Sequence, residues 1–152
     1  MDLADQIQDK VNALNLGITV DQGYLTGKQA TEIVLYSLPG GAVVEEDFAG
    51  NKTERYMFEV TMRSQDQELI NRTLFKIAEL INDPSFTLTS NNNSFYFTDI
   101  EMLGFPHVVS IDVEGFAVYS LDFAITIDVI TNQKGWYKWQ NQKHQRRLVN
   151  SL

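Results

Sequence analysis

A chain of 152 residues that is 43% apolar and 11% aromatic can build one domain around a buried core, which excludes a wholly disordered polymer. The absence of cysteine excludes a disulfide framework and a thiolate zinc site. With 20 acids against 12 bases the formal charge is −8, which argues against nucleic-acid affinity spread over the whole surface.

The N-terminus, Met1-Asp2-Leu3-Ala4-Asp5, is acidic and lacks an apolar run, so no secretory signal is expected. No window approaches the roughly 18 apolar residues of a membrane span, and a soluble protein made in a cytoplasm is expected. Leu3, Ile7, Val11 and Leu14 recur at helical spacing, which predicts an amphipathic helix over residues 2–15. Asp2 is its expected N-cap, Asp5 complements the helix dipole, and Gly17 is its expected C-cap. The segment Gly23-Tyr-Leu-Thr-Gly27-Lys28-Gln29 has the outline of a phosphate-binding loop. It has one residue too few between the glycines, and Gln29 stands where a hydroxyl would hold magnesium, so it reads as a turn.

Residues 31–38 are rich in β-formers and predict a strand ended by Pro39-Gly40-Gly41. Tyr56, Phe58, Val60 and Met62 alternate with Arg55, Met57, Glu59, Thr61 and Arg63, which predicts a half-buried strand. The two form a long hairpin with a glycine-rich, acidic tip at about residues 39–51, carrying Glu45, Glu46 and Asp47. Ser64-Gln65-Asp66-Gln67 has the pattern of a capping box, and Ile70, Leu74, Ile77 and Ile81 form a stripe that predicts a helix over 65–82, stopped at Asn82-Asp83-Pro84.

The remainder reads as β. A short strand is expected at 86–89, a turn at Asn91-Asn92-Asn93, and strands at 94–102 and 108–113, separated by Gly104-Phe105-Pro106. After the turn at Glu114-Gly115, seven apolar residues from Ala117 to Val129 alternate with a mostly polar set, which predicts a strand packed on one side and wet on the other. The fold class is therefore α+β, a mainly antiparallel sheet with two helices packed on one face, over residues 1–130.

Candidate chemistry is sparse. Asp99-x-Glu101 and Asp112-x-Glu114 could converge on neighbouring strands as a metal or nuclease site. That chemistry usually wants a nearby lysine, and none lies between Lys76 and Lys134, so a solvated sheet face is expected. His107 and His144 have no ligand-like spacing, and no G-x-S-x-G elbow occurs. Three glycosylation patterns, at Asn51, Asn71 and Asn92, read as chance. No catalytic residue, cofactor or metal is expected.

The C-terminal segment 131–152 differs from the rest. Residues 1–128 hold all 20 acids and seven of the 12 bases, a balance of −13, and no acid follows Asp128. Lys134, Lys138, Lys143, Arg146 and Arg147 come next, interleaved with Trp136, Tyr137 and Trp139. Paired tryptophans are costly to leave exposed, so Trp136, Tyr137, Lys138, Trp139, Arg146 and Arg147 are expected to dock on another subunit or an acidic partner protein. The alternatives are a solubilising terminus and weak attraction to nucleic acid.

Several segments together carry a family resemblance: the opening Asp2-Leu3-Ala4-Asp5-Gln6-Ile7, the strand Tyr56-Met57-Phe58-Glu59-Val60, the helix from Leu69 to Ile81, and the closing strand from Tyr119 to Val129. Over most of residues 1–130 this layout resembles the minor capsid and tail terminator proteins of long-tailed bacteriophages. The resemblance implies a tail-terminator-like fold and a structural virion protein assembled in the host cytoplasm. It implies a homo-oligomer, a hexameric ring that caps the tail tube protein and meets the head–tail connector proteins. DNA would pass through such a ring without specific binding, and no membrane is involved. Glu45, Glu46 and Asp47 would then line the bore or touch the tube. A head-completion or stopper protein is the nearest alternative, and a small metal-dependent enzyme using the strand carboxylates is a third.

Overall fold

The structure, a computed structural model, describes residues 1–130. The tail residues Trp136, Tyr137, Lys138, Trp139, Arg146 and Arg147, and with them His144, lie outside the described residues. The elements in chain order are α1 (Leu3–Asn12), β1 (Asp21–Gln22), β2 (Thr31–Glu46), β3 (Lys52–Ser64), α2 (Gln67–Asn82), β4 (Phe95–Met102), β5 (His107–Ile111) and β6 (Ala117–Val129). They build an α+β fold. One six-stranded sheet runs β1-β2-β3-β6-β4, with β5 also paired to β6, and every pairing except β1 with β2 is antiparallel.

Both helices cover the same sheet face. α1 buries Leu3, Ile7 and Val11, and α2 buries Ile70, Leu74, Ile77 and Ile81. They meet Ile33 and Leu35 of β2, Phe58, Val60 and Met62 of β3, and Leu121, Phe123, Ile125 and Ile127 of β6. At the centre, Phe58 and Phe123 are opposed across the strands with ring centroids 5.8 Å apart.

Helix ends differ from the sequence expectation in detail. Asp66, not Ser64, caps α2: its Oδ1 accepts from the Leu69 amide at 3.0 Å, while Ser64 Oγ accepts from the Asp66 amide. α1 ends at Asn12 with Ala13 as C-cap, short of Gly17. Asp2 stands at the N-cap of α1, but its side chain caps no helical amide. It reaches instead to the turn before β4, where Oδ1 accepts from Ser90 Oγ at 2.7 Å and Ser94 Oγ at 2.9 Å. Its Oδ2 accepts from the Asn91 amide at 2.8 Å and Gln6 Nε2 at 3.1 Å. Burial alone pushes this carboxyl up, but the four hydrogen bonds outweigh it and hold it at about 2.

The largest departure is in the hairpin. β2 does not stop at Pro39-Gly40-Gly41 but continues to Glu46. Register slips there, with Leu38 opposite Met57 and Ala42 opposite Arg55, so the three residues form a bulge. Beyond Leu35, no described strand pairs with the outer edge of β2, and proline is tolerated on such an edge. Gly40 has φ of +106°, which favours glycine, and a Cβ on Gly41 would lie 3.1 Å from the Arg55 carbonyl oxygen. The expected strand at 86–89 is reduced to a single bridge between Thr89 and Tyr96.

Candidate functional site

The face of the sheet that carries no helix is not simply wet. Across its centre, Tyr36, Glu59 and Asp122 stand in one row, because Tyr36 pairs with Glu59 and Glu59 with Asp122. Glu59 Oε1 accepts from Tyr36 Oη at 2.5 Å, Thr61 Oγ1 at 2.6 Å and Ser120 Oγ at 2.7 Å. Burial pushes Glu59 up, but these hydroxyls prevail and hold its carboxyl below the usual range. Asp122 has no such donors. Burial and the facing Glu59 charge push it up, and its Oδ1 is buried without a hydrogen-bond partner among the described residues. Ser120, Ala124 and Asp128 are buried on this face, Asp128 accepting from Thr53 Oγ1 at 2.7 Å. Short side chains lie beneath longer neighbours such as Tyr36 and Met57, an effect that alternation along one strand does not reveal.

The predicted acidic tip is narrower than expected. Glu45 and Glu46 lie on the exposed end of β2, and only Asp47 is in the turn. Asp47 Oδ1 accepts from the amides of Ala49 and Asn51, and Oδ2 from Asn51 Nδ2, each at 2.9 Å. The Asn51 side chain, with these amides, holds the Asp47 carboxyl below its usual range. Asp47 therefore ties the turn together rather than presenting a loose charge. Beside it Phe48 projects fully into solvent, with Val43 and Val44 exposed on the strand behind it.

A second exposed apolar stretch spans the β4–β5–β6 connections. Leu103, Phe105, Val108, Val109, Ile111 and Val113 are all exposed, and β5 is exposed along its whole length. The carboxylate pairs do not converge. Asp99 and Glu101 face Thr126 and Ala124 on β4, while Asp112 and Glu114 lie in the turn beyond the Ile111–Ala117 pair. Seven residues of β6 separate Ala124 from Ala117, about 23 Å. Glu101 pairs with Arg55 at 3.5 Å, and Asp112 Oδ1 accepts from the amides of Glu114 and Phe116. The four acids thus form no common metal cradle, and no group of three or more metal-ligating side chains occurs among the described residues.

The loop with the outline of a phosphate site is filled from within. The amides of Thr26 and Gly27 and the Thr26 hydroxyl donate to the nearly buried carboxylate of Glu32. His107 is exposed on β5, with Nδ1 3.2 Å from the Phe105 carbonyl oxygen. Asn51, one of the glycosylation patterns, is buried. Among the described residues, no helix is long and apolar enough to cross a membrane.

Sequence reasoning missed Phe48, the 103–113 stretch and the Glu59–Asp122 pair. The first two carry a readable signal: large apolar residues placed in turns and on a short strand with no alternating partner set.

No protein-family model matches the chain, and no curated protein sequence matches it. Among solved structures, the chain is similar to one from the virion of a native gene transfer agent particle. The identity is 10% and the TM-score 0.60, over 83% of this chain and 94% of that one. At that identity the likeness establishes a shared fold.

Proposed function

We propose that this chain is a structural protein of a phage-type virion, a tail terminator that closes the tail tube as a hexameric ring and meets the head–tail connector on its other side. The observation that carries the reading is the fold shared with a virion chain over 83% of this chain and 94% of that one. The surfaces agree with it. A ring needs two different patches that meet on successive copies. The exposed end of β2 with Phe48 and the exposed 103–113 stretch lie on different parts of the sheet. Glu45 and Glu46 facing the bore would repel DNA phosphates and let the genome slide.

The particle likeness names no position within the virion, so a head-completion or stopper role is the competing reading. Electron microscopy of the purified full chain tests for rings. Particles made without the protein separate the two roles: overlong tails indicate a terminator, and tails of normal length that fail to join heads indicate a connector. A monomer at all concentrations, with a metal-stimulated hydrolysis lost in Asp99→Asn with Glu101→Gln, would refute the structural reading.

A further inference from the structure

We propose that the exposed apolar stretch Leu103–Val113 is the receptor for the basic, aromatic segment 134–147 of a neighbouring copy. The inference rests on the self-association in the proposed function and names the surface that completes it.

Two properties of the stretch match that segment. It is apolar and open: Phe105 is 80% exposed, and Val113 at the β5–β6 turn is fully exposed. It is also bordered by acids, with Asp99 and Glu101 on one side and Asp112 and Glu114 on the other. No lysine or arginine occurs between residues 77 and 133. The cations that approach from β3 are engaged, Arg55 with Glu101 at 3.5 Å and Arg63 over the Phe116 ring at 3.8 Å. The segment supplies the complement: Trp136, Tyr137 and Trp139 for the apolar floor, and Lys134, Lys138, Lys143, Arg146 and Arg147 for the acids. Aromatic anchors would give most of the affinity and the charges the register.

For the Val113 end of the receptor, chain length selects a second copy as the source. The Ile130 amide donates to the Ser94 carbonyl at 3.0 Å, which fixes the exit of the chain at the Phe95–Val129 end of the sheet. Trp136 is six residues further on, so its backbone lies at most about 20 Å from that point. Ile111 pairs with Ala117, twelve residues back along β6, about 40 Å away, and Val113 lies beyond it. Trp136 therefore cannot reach Val113 of its own chain. A neighbour placed head to tail has no such limit, and one segment per copy docking on the next is the heterologous contact that a ring repeats.

Trp136 and Trp139 are the only tryptophans of the chain, so tryptophan emission reports on this segment alone. In the assembled full-length protein the emission should be blue-shifted, and dilution should move it towards the value for solvent-exposed indole. Phe105→Ser with Val113→Asp changes two exposed side chains and should leave the circular dichroism intact while moving the emission to longer wavelength. Mixing that variant with a silent copy, Trp136→Ala with Trp139→Ala, should restore the blue shift, because the silent copy still offers an intact receptor. Emission unchanged by the receptor substitutions, or no recovery on mixing, overturns the inference while leaving rings seen by microscopy in place. Loss of rings in the wild-type protein would instead remove the ring reading itself.

Discussion

Asp2 is expected to hold the first helix against the turn before β4, and the strength of that clamp can be worked out. Its carboxylate accepts four hydrogen bonds while only 9% exposed, and its pKa falls from 3.8 to about 2. At about 1.4 kcal/mol per unit, with a discount for solvent at the rim of the sheet, the charged form contributes about 1–2 kcal/mol at neutral pH. Asp2→Asn removes the charge and turns one acceptor into a donor aimed at other donors. Chemical denaturation should therefore show a loss of about 1–2 kcal/mol at pH 7, or about 2–8 °C in melting temperature for a chain of this size. The sign in pH follows from the depressed value. Stability from Asp2 is fully present above its ordinary value of 3.8 and is lost as pH falls through about 2. Wild type and variant should thus converge near pH 2. Equal stabilities at pH 7, or a gap that stays unchanged at pH 2, would refute the clamp.

Two further outcomes are expected. Asp122→Asn should stabilise the protein at pH 7 by about 0.5–1 kcal/mol, because it relieves like charges directly opposed on β3 and β6. Asp122 is raised by burial and by Glu59, so its favourable contribution is present at low pH and is lost as pH rises through its folded value. The advantage of the variant in denaturant titrations should accordingly shrink on acidification, and a constant advantage would point to packing instead. Gly40→Ala forces a side chain to φ of +106° and should cost about 1–2 kcal/mol. Hydrogen exchange should show the loss concentrated in residues 42–46 rather than in the core, and uniform loss would contradict the bulge as a local device.

How much of this was legible in the sequence depends on what each residue needed to know about its neighbours. α2 and β6 are long and periodic, and their stripes at spacings of 3.6 and 2 fall where the core lies. By sequence, Pro39-Gly40-Gly41 marks the end of β2, because proline and glycine seldom sit inside a paired strand. It continues here because its outer edge is unpaired at that point and the bulge absorbs the extra residues. β1 has two residues and is defined only by its partner, so no local pattern marks it. Glu59 and Asp122 are 63 positions apart in the chain, and only the β3–β6 register makes them a pair. The acidic tip was visible as composition, but the role of Asp47 depends on the amides its own turn presents.

The placement of polar and apolar groups on the open side of the sheet bears on how copies would pack. A flat partner laid over the centre of the uncovered face would strip water from Glu59, which takes the Tyr36, Thr61 and Ser120 hydroxyls, and from Asp122, which is left without them. Burying such charges without new partners costs several kcal/mol per ion. The large exposed apolar side chains are elsewhere, at Phe48 by the β2–β3 turn and along 103–113 on the opposite edge. Covering those residues returns about 25 cal/mol for each Å² removed from water, with little carboxylate desolvation. The energetics thus favour contacts at the edges over stacking on the face. Edge contacts of unlike patches would repeat from copy to copy, and they would leave the Tyr36–Glu59–Asp122 row uncovered.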